Sequence, residues 1–443
     1  MFHRPGKKSK PKQSKALKDL NPILSPEALL KDKKRQQLLG TIKQASHESE
    51  SRFSNIYIAL LNNFLNHCQS LPETFNNYYS LPGGLLDHAL NRTEAALTLF
   101  SQYLIQEGSD LSDAQKLWLF VLFSAGLLQG IGKLQIDYKI DLFDSNGQKV
   151  KLWNPLLESM PAMGAYYQYE FCEEQEDRLR RRLNLLLARM LMPAKAFAWI
   201  ASNPEALAVW LALLNEDYED AGTLGAILIR ADAIALQRYF TDYMVRMGAE
   251  RAGGFSRIKT FVDSGYDSLE DKEHMIGLEF LQWLMQQLEA GIIMINKAPL
   301  FMVPGGMLMS SDMFKWFVRE HPEYKNWQAI QSGLLSINVH QTNADGAVES
   351  RFEQSKNQQI VSGVVLADYA VALPDSVKFH DMNTGKVSTL SAVELVHQAQ
   401  YNSHFSNMNN LAAIPPLAYL AANGQWQVVE SSLGPQQGAK FSG

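Results

Sequence analysis

The chain has 443 residues, 46% hydrophobic, 20% charged and 10% aromatic, which excludes collagen-like, fully disordered and disulfide-scaffold proteins and predicts two or three domains, each with its own core. The net charge of −5 hides an asymmetry: residues 1–35 hold eleven Lys/Arg and three Asp/Glu, so this arm stands at +8 and the remainder at −13. Two cysteines, Cys68 and Cys172, are too few for a disulfide framework, and no apolar leader segment follows the basic N-terminus. The most apolar run, Leu117 to Leu128, is shorter than the about 20 residues a bilayer needs. The expectation is a cytoplasmic protein without membrane insertion.

The arm, residues 1–35, includes KKSKPKQSK at Lys7 to Lys15, too polar to offset its ordering entropy, and is expected to be disordered. Lys7, Lys8, Lys10, Lys12 and Lys15 are candidate contacts to a DNA backbone, with a solubilising tail as the alternative. Residues 36–262 read as a helical domain. Phe53, Ile56, Tyr57, Leu60, Leu61 and Phe64 recur at helical spacing, and the all-apolar run from Leu117 suits the central helix of a bundle. DSNGQK, Asp144 to Lys149, reads as the turn of a β-hairpin within Leu134 to Lys151. An acidic, polar linker is expected over 263–275.

From 276 to 375 the pattern changes. An amphipathic helix, Ile276 to Ile293, precedes β-like pieces at Leu300 to Val303 and Met307 to Met309. Two helices follow, Asp312 to Glu320, with Ser310 or Ser311 as cap candidates, and Asn326 to Leu334. Alternating residues return at Val348 to Phe352 and Ile360 to Val371. Helix, helix and β-ribbon outline a small α+β winged-helix domain. Lys315 and Arg319 share one face of the first of these helices and are candidate DNA contacts. No fold is legible in residues 376–443. The fold class is mainly α.

Two segments carry possible chemistry: SLPGGLLDHALNRTEAAL, Ser80 to Leu97, and FSAGLLQGIGKL, Phe123 to Leu134. With WNPL (Trp153 to Leu156), RADAIAL (Arg230 to Leu236), INKAPLFMVPGGMLMSSDMFKWF (Ile295 to Phe317) and WQAIQSGLLSI (Trp327 to Ile337), they resemble in order the MobH class of TraI-like relaxases of integrating conjugative elements. The resemblance implies an HD-type metal-hydrolase domain, then a winged-helix domain, in a bacterial cytoplasm. It also implies DNA and proteins of conjugation or of the mobile element as partners. In that family a cluster of His and Asp holds divalent metal, which activates a water against phosphate.

His88 stands where the histidine after GGLL belongs and Asp232 where the distal aspartate belongs. Gln129 and Gly130, however, replace the His-Asp pair. The histidine run before Pro82 is replaced by Asn76, Asn77, Tyr78 and Tyr79, and EEQEDRLRRR, Glu173 to Arg182, holds no histidine. His67 and Asp87 are poor substitutes. His88 and Asp232 therefore read as vestigial, with ordinary core hydrogen bonding as their alternative role, and no metal cofactor is expected. Lys133 after Gly132, the arginines 178 and 180–182, and Tyr78, Tyr79, Tyr166, Tyr167 and Tyr169 are weaker candidates for phosphate or base contact, set against ion pairing and core packing. The favoured expectation is a non-catalytic, DNA-associated relaxase-like or accessory protein with a degenerate site. The rivals are an active phosphohydrolase with an altered ligand set and divalent metal, and a protein-interaction adaptor of the transfer apparatus.

Overall fold

A computed structural model describes residues 15–105, 110–172, 177–246, 269–342, 346–353, 360–382, 384–402 and 415–429. Lys7, Lys8, Lys10 and Lys12 lie outside the described residues. The disorder expected over 1–35 does not extend across 15–35. Leu20 and Leu29 are buried, Lys15 N donates to Gly147 O at 2.9 Å, and Asn21–Pro22 forms strand β1. Asp32 caps helix α1, Lys33–Ala45, accepting from the amides of Lys34 and Arg35. Two apolar residues and a cap suffice to fasten this stretch despite its charge.

The helical part continues with a π turn, Phe53–Ile58, leading into α2, Ala59–Cys68. Then follow α3 (Gly84–Phe100), α4 (Asp113–Leu128), α5 (Asp177–Leu191), α6 (Ala194–Ala201), α7 (Pro204–Asn215) and α8 (Gly222–Arg246). Ser112 and Gln115 close a capping box at the start of α4, whose side chains are buried on every face. The stretch Asp113–Ile136 has the length and apolarity of a membrane span, but 89% of its most apolar window is buried inside the protein. The predicted hairpin exists as β2 (Tyr138–Phe143) and β3 (Lys149–Leu152), with Gly147 at φ 73° in its turn. The sheet is larger than expected: β4, Tyr166–Phe171, joins it, giving the antiparallel order β1-β4-β2-β3. Tyr166, Tyr167 and Tyr169 are thus strand residues, with Tyr167 fully buried.

In the second part, α9 spans Leu269–Glu289, so residues 269–275 of the expected linker are helical. Next come β5 (Leu300–Val303), β6 (Gly306–Met309), α10 (Ser311–Glu320), α11 (Trp327–Ser336), β7 (Glu349–Glu353) and β8 (Ile360–Leu366). The sheet order is β5-β6-β8-β7, all antiparallel. Ser310 takes the N-cap position of α10 without a side-chain cap bond, whereas Asn326 caps α11.

The tail is also structured. Hairpin β9 (Ser376–His380) and β10 (Val387–Ser391) leads into α12, Ala392–Asn402, which buries Val393, Leu395 and Val396 and packs on α8. Leu420 then bridges to Leu104.

A large core runs from Leu29 to Leu420 across both parts, and a small second cluster holds Val303, Leu308 and Val365. Helix α8 is the large core's shared wall: buried Arg230 donates to Ala370 O (3.1 Å) and Leu373 O (2.9 Å), and Gln237 Nε2 to Val371 O (2.8 Å).

Candidate functional site

Three segments meet at the expected site: the turn before α3, the end of α4 and the middle of α8. The turn is forced by glycine. A Cβ on Gly84 would stand 1.8 Å from Tyr79 O, so only glycine lets the chain fold back and start α3 there. This places His88, one turn into α3, against Asp232 on α8. His88 Nε2 lies 3.0 Å from Asp232 Oδ1, and Nδ1 lies 3.5 Å from Glu73 Oε1. Tyr79 stacks on the imidazole at 4.9 Å and Tyr78 meets it edge-on at 5.8 Å. The residues standing in for the histidine run therefore box His88 in, with Tyr79 O–H anchored on Ala235 O.

Two cations complete the cluster. Lys133 Nζ donates to the Glu73 carboxylate and, at 3.3 Å, to Glu73 O. Arg92, one turn after His88, donates to Asp232 Oδ1 at 3.0 Å, Gly126 O at 2.8 Å and Gln129 O at 3.0 Å. The series Lys133, Glu73, His88, Asp232, Arg92 thus alternates in sign. Burial pushes the Glu73 carboxyl up, but Lys133 and His88 outweigh it and hold it down at about 2. Burial also acts against the charged Asp232, and His88 and Arg92 overcome it, holding that carboxyl well below its usual range. Burial would lower the His88 pKa, yet Asp232 and Glu73 raise it.

The donor set does not fit a transition metal. Gln129 Nε2 is turned to the Tyr218 hydroxyl, and its Oε1 is buried without a hydrogen-bond partner. Gly130 sits at φ 75°, a left-handed geometry that suits glycine and gives no side chain. No group of three or more His, Cys, Asp or Glu among the described residues is placed to hold a metal ion. Asp87 pairs with Arg35 at 2.7 Å, away from His88, and His67 Nδ1 lies 2.8 Å from Asn63 O. Glu73 and Arg92, two of the cluster's five members, escaped the sequence reading. The available signal was Arg92 four residues after His88, on the same helix face.

A family model described as "Putative helicase" (TraI_2) matches residues 21–255, more than half of the chain. The chain belongs to this TraI-like family. A second model, "Putative conjugal transfer nickase/helicase TraI C-term", matches residues 275–384. The TraI-like match begins at Asn21, within the ordered stretch before α1. No curated protein is significantly similar to the chain.

The candidate DNA contacts are dispersed. Lys315 Nζ pairs with Asp312 at 2.9 Å and lies 5.7 Å from the Trp327 ring centre, while Arg319 is exposed on the same face of α10. Lys15 donates to Gln168 on β4. On α5, Arg178 and Arg182 are exposed and Arg180 and Arg181 half-buried.

Proposed function

We propose that this TraI-like chain is a non-catalytic, DNA-associated relaxase-like or accessory protein of a conjugative element, of MobH type. In this reading residues 15–246 are an HD-like domain whose metal site has become a scaffold. Helix α9, strand β6, helices α10 and α11 and ribbon β7–β8, with β6 pairing β8, follow winged-helix order and supply DNA contacts with the basic arm. The protein works in the bacterial cytoplasm without a metal cofactor, beside DNA and other transfer proteins.

The observation that carries the reading is the charge series at His88. Lys133 and Arg92 neutralise the two carboxylates that a metal would otherwise neutralise, so the fold satisfies its buried charge internally. Metal analysis of the desalted protein, paired with a nuclease assay, tests this: neither Mn, Fe, Ni nor Zn should be present in stoichiometric amount. The double change Gln129→His with Gly130→Asp should restore no phosphodiesterase activity. A Cβ at 130 lies 3.8 Å from Lys133 Cε, so the new carboxylate meets an ammonium. A full metal equivalent in the wild type, or strong turnover in the double variant, overturns the reading.

A further inference from the structure

We propose that the outer face of α5 is a docking ridge for an acidic amphipathic helix of a partner protein. The inner face of α5 holds Leu183, Leu187 and Leu191 in the core. Its outer face exposes Arg178, Arg182 and Arg189, as a surface helix should, but apolar side chains stand beside them. Leu179, Leu186 and Met190 stand 42%, 60% and 39% exposed, seven and four residues apart, in a single ridge. Arg182 and Arg189 flank it and pair with no carboxylate among the described residues; Arg189 rests over the Phe197 ring at 4.2 Å. At its C-terminal end the ridge runs into a pocket of about 290 Å³ in which Met190 and Leu191 meet Asn63, His67 and Leu157. Leu157 is 74% exposed.

The chemistry selects the occupant. A ridge of Leu179, Leu186 and Met190, with arginines alongside that meet no carboxylate among the described residues, complements a helix that carries apolar residues three and four apart, with carboxylates at their flanks. A second copy of this chain fits poorly, because symmetric pairing sets Arg182 of one copy beside Arg189 of the other. A lipid surface would bury a broad apolar face, and this ridge is one side chain wide. A DNA backbone would leave the leucines unused.

The test uses the full chain and a fluorescent synthetic helix of about 18 residues, five turns, with leucine at every third and fourth position and glutamate flanking. Saturable binding is expected, weakened about tenfold or more by Leu186→Ser with Met190→Ser, and likewise by Arg182→Ala with Arg189→Ala. All four side chains are solvent-exposed, so circular dichroism should be unchanged. Absence of binding, equal binding of a lysine-flanked peptide, or indifference to the substitutions overturns the proposal. So does binding to phosphatidylglycerol vesicles, or dimerisation in sedimentation, if either is lost in the same variants.

Discussion

Lys133 and Glu73 form a closely enclosed pair, with both side chains 9% exposed. Removing one partner of a buried pair leaves an uncompensated charge, so Lys133→Met should cost about 3–5 kcal/mol. Adding Glu73→Gln should recover most of that loss, and urea denaturation of the four proteins reads the coupling. Glu73 is held at about 2 in the folded chain, below its ordinary 4.5. The stability it contributes is therefore complete above about pH 4.5 and is lost as pH falls towards 2. Without the ammonium, His88 is left to oppose burial, so the Glu73 pKa rises, and Lys133→Met should lose less stability than the wild type as pH falls from about 4.5 towards 2. Parallel pH dependence in the two proteins would disprove the pairing.

At the scale of elements, α9 buries a charge of another kind. Burial pushes the Glu279 carboxyl up to about 7, although the Tyr324 hydroxyl donates to it. Its folded pKa exceeds the unfolded one, so it destabilises progressively as pH climbs from about 4.5 to 7 and by a constant amount above. Glu279→Gln should raise the urea midpoint at pH 8, by up to about 3 kcal/mol of stability, and leave it unchanged at pH 4. On α10, Lys315→Ala with Arg319→Ala in the full chain should weaken DNA binding and flatten its salt dependence by up to about 0.9 in log–log slope per lost phosphate contact. An unchanged slope makes α10 a surface without a DNA role. Elements with strong local signals were legible: the hairpin at Gly147, β5 and β6, α10 and α11. Strand β4 was missed although Tyr167, Tyr169 and Phe171 alternate with Gln168 and Glu170, because its tyrosines read equally well as stacking or packing residues without a strand. His88 and Asp232 were legible from motifs, whereas Glu73 was not, since only the fold carries a loop glutamate sixty residues along the chain to Lys133. Helix α12 and hairpin β9–β10 were illegible because their apolar residues gain meaning only against α8 and α9 respectively.

At the scale of the molecule, the two matched segments share a core, so neither should melt alone; calorimetry is expected to show one transition, and two well-separated ones would refute the shared wall. Arg230 is the reason to expect more than mere contact. Its side chain is 3% exposed and spends its Nη1 donors on Ala370 O and Leu373 O, carbonyls of the second matched segment. Supplied as separate polypeptides, 1–246 and 269–443 should each misfold, since one lacks acceptors and the other a donor, but refolded together they should complement each other. Such a split protein would convert the joining of its halves into a folding signal, with Arg230→Leu as the silent control.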